Sequence, residues 1–392
     1  HIDVAQTRYD ARAEFPLDGF LKSIRLRGGY NDYEHMEVAD DGEVGSQVFS
    51  KGGEARADFV QRDRSGWGGT SGVQLFNVRT HIIGDEQYLP PARSRDVALF
   101  SVQHLDTGPW RLEAGFRVER NEQTAEASAV VGNPDLKRTF TTLSYSGGAS
   151  YAFSRSSKLS LSVTRSSRAP SVEELYANGP HAGNASFEVG DPSLDQEQSV
   201  GAEIGLHHHF GPLTFDAAYY HTRYSNFLYQ APTGAIEDDL PVYAYRQGKA
   251  RYSGFEVQAA ARVGTFAGWE LGAEASGDMT RATIKGFGPA PLIPPLRAMA
   301  ALTAEKGPIS TRLDVEHDWS HDRVAPLETR TPGFTLVNAS VEWQPLRERP
   351  DLTLGLAVNN IFDVEARRST SLLKDYAPLA GRDIRLTARF AL

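Results

Sequence analysis

The chain has 392 residues, of which 40% are hydrophobic and 10% aromatic, with 36 Gly, 21 Pro, no Cys and a formal net charge of −9. This composition excludes a disordered polypeptide, and the lack of cysteine excludes disulfide frameworks and thiolate metal sites, so any metal must be held by nitrogen and oxygen ligands. An acidic chain without a basic run interleaved with aromatics excludes nucleic acid as a partner, and no apolar run approaches the ~18 residues of a spanning helix.

A mean hydropathy of −0.41 still permits a membrane β-barrel, because alternation dilutes its hydrophobic residues. From end to end the chain repeats segments of about 10 to 15 residues that alternate apolar and polar, and about 17 such strands can be counted. In chain order, the second carries Ser23, Arg25, Arg27, Asn31, Tyr33, His35 and Glu37 on its polar parity. A later one sets Leu112, Ala114, Phe116 and Val118 against Arg111, Glu113, Arg117 and Glu119. Further on, Leu313, Val315, His317 and Trp319 alternate with Arg312, Asp314, Glu316 and Asp318, and Leu352, Leu354, Leu356 and Val358 with Thr353, Gly355 and Asn359. Successive side chains on a strand point to opposite faces, so each segment has one side for hydrocarbon and one for water.

The connections alternate in length. Short turns are expected at Pro16–Gly19, Ser65-Gly66, Thr107-Gly108, Ser154–Ser157, His207–Pro212, Gly264–Gly268, Lys306–Pro308 and Leu346–Pro350. Long loops fall between them at about 37–50, 82–94, 121–138, 166–196, 227–241, 284–294, 321–331 and 362–380, with acidic tips at Asp40-Asp41 and Asp238-Asp239. Short periplasmic turns and long extracellular loops are the asymmetry of a bacterial outer-membrane barrel. The fold class is therefore all-β, a transmembrane antiparallel β-barrel whose sheet must close around a polar lumen, since unpaired strand edges are not tolerated in lipid. An odd strand count cannot complete a bacterial barrel whose two ends are periplasmic, and the chain starts at His1 with no leader; further strands are expected upstream. The final segment places Ile384, Leu386, Ala388, Phe390 and Leu392 on one face, similar to the C-terminal strand that the outer-membrane assembly machinery recognises.

The run Arg168-Ala169-Pro170-Ser171-Val172-Glu173-Glu174-Leu175-Tyr176, then Gly190-Asp191-Pro192-Ser193-Leu194 with Glu197, and Asn359-Asn360-Ile361-Phe362-Asp363 resemble the hallmarks of TonB-dependent receptors. Tyr88-Leu89-Pro90-Pro91, Tyr176–His181 leading to Phe187–Gly190, and Glu328–Gly333 are similar to the zinc-uptake branch of that family. The resemblance covers essentially the whole chain. It implies a barrel of about 22 strands around an N-terminal plug, so that residues 1–392 would be the C-terminal barrel portion, with about five strands, the plug and the TonB box upstream. It also implies location in the bacterial outer membrane, the TonB complex, outer-membrane lipid and the chain's own plug as partners, a monomer, and zinc as transported ligand with no organic cofactor.

His35 and Glu37, at i and i+2 near the extracellular mouth, project from one face, and His181 in the largest loop is free to reach over them. Two imidazoles and a carboxylate form the N/O set that suits Zn²⁺. The resemblance carries metal binding onto His35, Glu37 and His181 and implies that the plug donates the rest. His81 with Asp85 and Glu86 in the next loop is a possible auxiliary metal site. The triplet His207-His208-His209 lies in a periplasmic turn, on the wrong side for capture from outside. No G-x-S-x-G, H-E-x-x-H or P-loop is present, so no enzyme is expected. The rival readings are a TonB-dependent siderophore or haem receptor and, from another class, a passive porin.

Overall fold

The computed structural model describes residues 2–38, 42, 44–181, 183, 185–346 and 352–390. Asp40-Asp41, nearly all of the expected turn at 346–350, and Leu392 lie outside the described residues. The described residues form twenty strands and one α-helix. In order these are β1 (Ile2–Pro16), β2 (Leu21–Val38), β3 (Val44–Gln61), β4 (Trp67–Ile83), β5 (Ala92–Thr107), β6 (Trp110–Ala125), β7 (Leu136–Ser154), β8 (Ser157–Arg168), α1 (Val172–Tyr176), β9 (Asn178–His181) and β10 (Ser186–Val189). Then follow β11 (Glu197–Phe210), β12 (Leu213–Glu237), β13 (Leu240–Phe266), β14 (Trp269–Ile284), β15 (Gly288–Pro289), β16 (Arg297–Lys306), β17 (Ile309–Asp318), β18 (Phe334–Trp343), β19 (Leu352–Asn359) and β20 (Asp383–Phe390). Three of the twenty, β9, β10 and β15, have four residues or fewer and decorate connections; the seventeen others are the long strands that alternation foretells. Among the described residues β1 pairs only with β2 and β20 only with β19, so the sheet is not closed.

The chain divides into two compact units, the first of residues 1–149, 162–201 and 223–250, the second of 150–161, 202–222 and 251–392. In the first, β1 to β6 form an antiparallel meander whose register aligns Ala13, Leu26, Ala57, Val73, Leu99 and Val118 across all six strands. One residue along, Arg12, Arg27, Arg56, Gln74, Ala98 and Glu119 align on the other face. Because the side-chain period is two, this register alone separates an apolar face from a polar one. The apolar face is left uncovered: Leu75, Val97, Leu99 and Phe116 are each about half exposed, as a surface meant for hydrocarbon must be. The polar face is tied by ion pairs such as Arg25–Glu14 and Arg56–Asp58.

In the second unit, β14 and β16 to β20 repeat the scheme. Ala273, Leu302, Leu313, Ala339, Val358 and Ile384 align on one face, while Glu274, Arg312, Asp314 and Asn338 are joined by ion pairs and a hydrogen bond on the other. Two expected connections are shorter than the sequence suggests. The loop placed at 227–241 is instead continuous strand closed by a two-residue turn at Asp238-Asp239, both at positive φ (48° and 61°). Such a turn matches the twist of a hairpin, which lets β12 and β13 run on beyond the apolar band. Likewise β11 extends to Phe210, through the His207–Pro212 segment read as a turn.

The apolar core of the first unit sits beneath segment 169–196, where Leu89, Leu175, Tyr176, Leu194, Phe140 and Leu228 are buried together. Helix α1 starts in a capping box, with Ser171 Oγ accepting from Glu174 N and the Glu174 carboxylate accepting from Ser171 N. Arg168 clamps Glu174 and Glu197 at once. Gly190 packs against the helix end so closely that a Cβ there would stand 2.7 Å from Leu175 C and from Tyr176 N. The Arg168–Tyr176 and Gly190–Leu194 motifs are therefore the frame that fixes this segment. Gly190→Ala is expected to cost about 1–3 kcal/mol by overpacking and to speed hydrogen exchange of amides 172–194 while β2 to β6 stay protected; unchanged exchange would contradict this packing.

Candidate metal-binding site

The site is built at the loop end of the first unit from three pieces of chain. The first is the last turn of alternation in β2. Register pairs His35 with Val48 and Glu37 with Ser46, on the same polar face as Arg25 and Arg27. His35 Nε2 lies 3.8 Å from Glu37 Oε1, and Ser46 Oγ donates to Glu37 Oε2 at 2.8 Å. The His35 ring meets Tyr33 edge-on at 5.5 Å, and among the described residues its buried Nδ1 has no hydrogen-bond partner. This imidazole is thus held by its neighbours in space rather than by hydrogen bonds.

The second piece is the β9–β10 hairpin inside segment 169–196. Ser186 pairs with His181, and Glu188 with Gly179. Strand β10 also pairs in parallel with β13, setting Glu188 beside Tyr243. As a result Glu188 is buried (2% exposed), one carboxylate oxygen 2.9 Å from His181 Nδ1 and the other accepting from Tyr245 Oη at 3.0 Å. A carboxylate can only accept, so His181 Nδ1 carries the hydrogen, and in the neutral imidazole Nε2 is then the nitrogen with the lone pair. The third piece is the β4–β5 connection. Tyr88 stacks on His181 with ring centroids 4.2 Å apart and planes within 8°, and burial pushes its phenol pKa upward. His181 is therefore fixed by a carboxylate at one edge and an aromatic face on one side.

These pieces converge. A Cβ added at Gly183 would lie 3.4 Å from Glu37 Oε1 and 3.7 Å from His181 Nε2, so both atoms border one small space, and His35 Nε2 lies 3.8 Å from the same Glu37 oxygen. Glu86 borders the same region. Burial, and then the negative charge of Glu37, hold its carboxyl above the ordinary carboxylate value, while His181 pulls the other way. As placed, no group of three or more His, Asp or Glu among the described residues stands close enough to hold an ion.

His81 pairs directly with Phe49, one position from the Val48–Ile82 pair that shares the His35 face, so it projects from the opposite side of the sheet. Glu86 is electrostatically coupled to Glu37, to His181 and to its neighbour Asp85. The histidine triplet is engaged elsewhere, His207 Nδ1 with Asp216, His208 Nδ1 with Ser157 and His209 Nδ1 with Thr214. Sequence reading did not assign Glu188, Tyr88 or Tyr245 to the site, although Tyr88 and Glu188 lie within the Tyr88–Pro91 and Phe187–Gly190 motifs. Nothing local pointed to Tyr245, which lies 57 residues from Glu188.

Comparison with known proteins places this geometry in context. A family model described as TonB dependent receptor-like, beta-barrel matches residues 2–361. Among solved structures, the copper transporter OprC is similar over 99% of this chain and 65% of its own, with a TM-score of 0.84 and 16% identity. The FrpB iron transporter from Neisseria meningitidis (F3-3 variant) gives a TM-score of 0.75 at 15% identity, covering 99% of this chain and 63% of its own. The ferric citrate transporter FecA gives 0.74 at 18% identity, covering 99% and 62%. At such identities the likeness concerns the fold, and the chain spans just under two thirds of the length of each. With the family model matching over nearly its whole length and the strand pattern agreeing, the chain belongs to the TonB-dependent receptor-like β-barrel family.

Proposed function

We propose that this chain is the barrel portion of an outer-membrane receptor that captures a divalent metal, zinc foremost, at His35, Glu37 and His181, and imports it with energy supplied through TonB. What carries the reading is the convergence of Glu37 Oε1 and His181 Nε2 on one space, with His181 presented by Glu188 in the tautomer a metal requires. Ligating histidines characteristically donate their other ring hydrogen to a carboxylate, which fixes the ring and raises its basicity. Ligands of a tetrahedral zinc ion stand roughly 3.3 Å apart. The 3.8 Å between His35 Nε2 and Glu37 Oε1 is already near that, so the main movement on capture is the approach of His181. Two imidazoles and a carboxylate leave a fourth position, for which Glu86 or a group outside this chain is the candidate. Metal held between β2 and segment 169–196 joins a rigid strand to a loop. Occupancy is thereby converted into loop position, a signal that TonB-driven release can follow. The neighbours named above, transporters of copper, iron and ferric citrate, agree with a metal cargo.

A second reading, import of a metal as an anionic chelate, is favoured by one observation. Arg12, Arg27 and Arg56 stand directly opposite one another on the polar face, and among the described residues neither Arg12 nor Arg27 has an ion-pair partner. Arg27 lines two adjoining cavities of about 440 and 500 Å³. Rows of like charge are destabilising unless an anion lies between them.

Zinc titration of the receptor separates the two. His35→Ala and His181→Ala are each expected to weaken zinc binding at least about ten-fold, and Glu188→Gln by about 10- to 100-fold through the ring it holds; unchanged zinc affinity together with tight binding of ferric citrate would move the assignment to the chelate. Glu86 supplies a pH test. Its carboxyl is raised on folding, so its contribution to stability is fully present below the unfolded value and is lost as pH rises through the raised one. In Glu86→Gln the fall in thermal midpoint just above the ordinary carboxylate range should flatten; an unaltered pH profile would show that folding does not raise the Glu86 carboxyl.

A further inference from the structure

The apolar face of the first unit does not end in neutral residues at the loop end. Register places Arg79 directly opposite Arg93, and Arg95 opposite Asn77, on the same parity as Leu75, Val97 and Leu99. Arg120 follows Val118 on that parity of β6, opposite Val97, and Lys137 reaches Glu122 from β7 at 2.7 Å. Five cations thus share a patch with two carboxylates, Glu122 and Glu126. Arg93 is held by Asn77 Oδ1 at 2.6 Å rather than by a carboxylate, and Arg120 has no ion-pair partner among the described residues. The Arg79 and Lys137 side chains are about 60% exposed and Arg95 is half exposed.

The height of the patch follows from the strand. Trp67 and Trp110, each about half exposed on this same face, mark the short-turn end of the apolar band. Arg79 lies twelve residues beyond Trp67 on β4, or about 40 Å along the strand and about 30 Å along the membrane normal at the usual tilt. The hydrocarbon-facing band of such sheets is about 25 Å tall. The arginines therefore stand just past hydrocarbon on the long-loop side, facing outward, where the headgroups of the outer leaflet lie. Cations of like sign set directly across a strand pair are unfavourable in isolation, and guanidinium groups bind phosphate through two parallel hydrogen bonds.

We infer that Arg79, Arg93, Arg95, Arg120 and Lys137 form a docking site for a phosphate-bearing glycolipid of the outer leaflet, its acyl chains lying on the Leu75–Val97–Leu99 face below. The lipid bridges the Arg79–Arg93 pair and fastens β4, β5 and β6 just outside the strand ends from which Tyr88 and Glu86 are presented. This site faces away from His35 and Glu37, so it stands independently of the metal reading.

The test uses the receptor in neutral detergent, with folding checked by its heat-modifiable gel mobility. It is titrated with bisphosphorylated lipid A, with the same lipid stripped of phosphate, and with inorganic phosphate, and bound lipid is counted by native mass spectrometry. Each basic side chain near an anionic lipid surface strengthens attachment roughly five-fold, so Arg79→Gln with Arg93→Gln should weaken lipid A binding about twenty-fold. The stripped lipid should bind as weakly to the parent as lipid A does to that variant, and millimolar inorganic phosphate should leave lipid A bound. Equal affinity in the variant, equal affinity for the stripped lipid, or displacement by inorganic phosphate, which would mark a free-anion site, each overturns the proposal. If the double variant fails the folding check, Arg120→Gln replaces it, with a loss of about five-fold expected and no loss overturning the assignment.

Discussion

Backbone hydrogen bonding in hydrocarbon governs this molecule. A strand that crosses lipid must pair every N–H and C=O sideways, which favours long antiparallel strands over any other element the composition could support. Once strands are chosen, the period of two leaves no freedom in what faces where. The row from Ala13 to Val118 and the row from Arg12 to Glu119 differ by one residue and lie on opposite faces, so a single-residue slip of register would drive arginines into lipid. The placement of His35 and Glu37 is a consequence of the same rule, because they occupy the polar parity where β2 leaves the apolar band.

Strands alone do not bring His181 toward Glu37. The second requirement is a connection that returns to the strand ends and stays there, and segment 169–196 does so with its own core, capping box and arginine clamp. The residues that mark the family in this stretch, Arg168–Tyr176 and Gly190–Leu194, include neither His181 nor Glu188. They fix α1 and close Gly190 onto it, and the hairpin that carries His181 and Glu188 is positioned as a result. This division of labour explains how one barrel family serves several cargoes: the frame can be kept while the short hairpin it supports is rewritten.

Much of this was legible in the sequence, and what was not follows a physical pattern. Alternation located the long strands and put His35 and Glu37 on one face, because period-two patterning is a local signal. Connection lengths were less legible. Residues 227–241 carry loop-like acids and glycine, but hairpins that extend past the membrane have no hydrophobic alternation to betray them, and only the positive φ at Asp238-Asp239 marks the true turn. The parity of His81 sets it on the face opposite His35, a distinction that needed the exact register at the end of β4. The contact of Glu188 with Tyr245 was out of reach, since they meet through a parallel pairing of β10 with β13, and parallel pairs leave no hairpin signature.

The proposed site joins His35 and Glu37 from the polar face of β2 to His181 from the β9–β10 hairpin around one metal ion. Zinc K-edge X-ray absorption on the zinc-loaded receptor addresses it directly. The account predicts a first shell of nitrogen and oxygen at about 2.0–2.1 Å, with the outer-shell scattering of two imidazoles that falls to one in either His35→Ala or His181→Ala. An oxygen-only shell, or an imidazole signal unchanged in both variants, would contradict it.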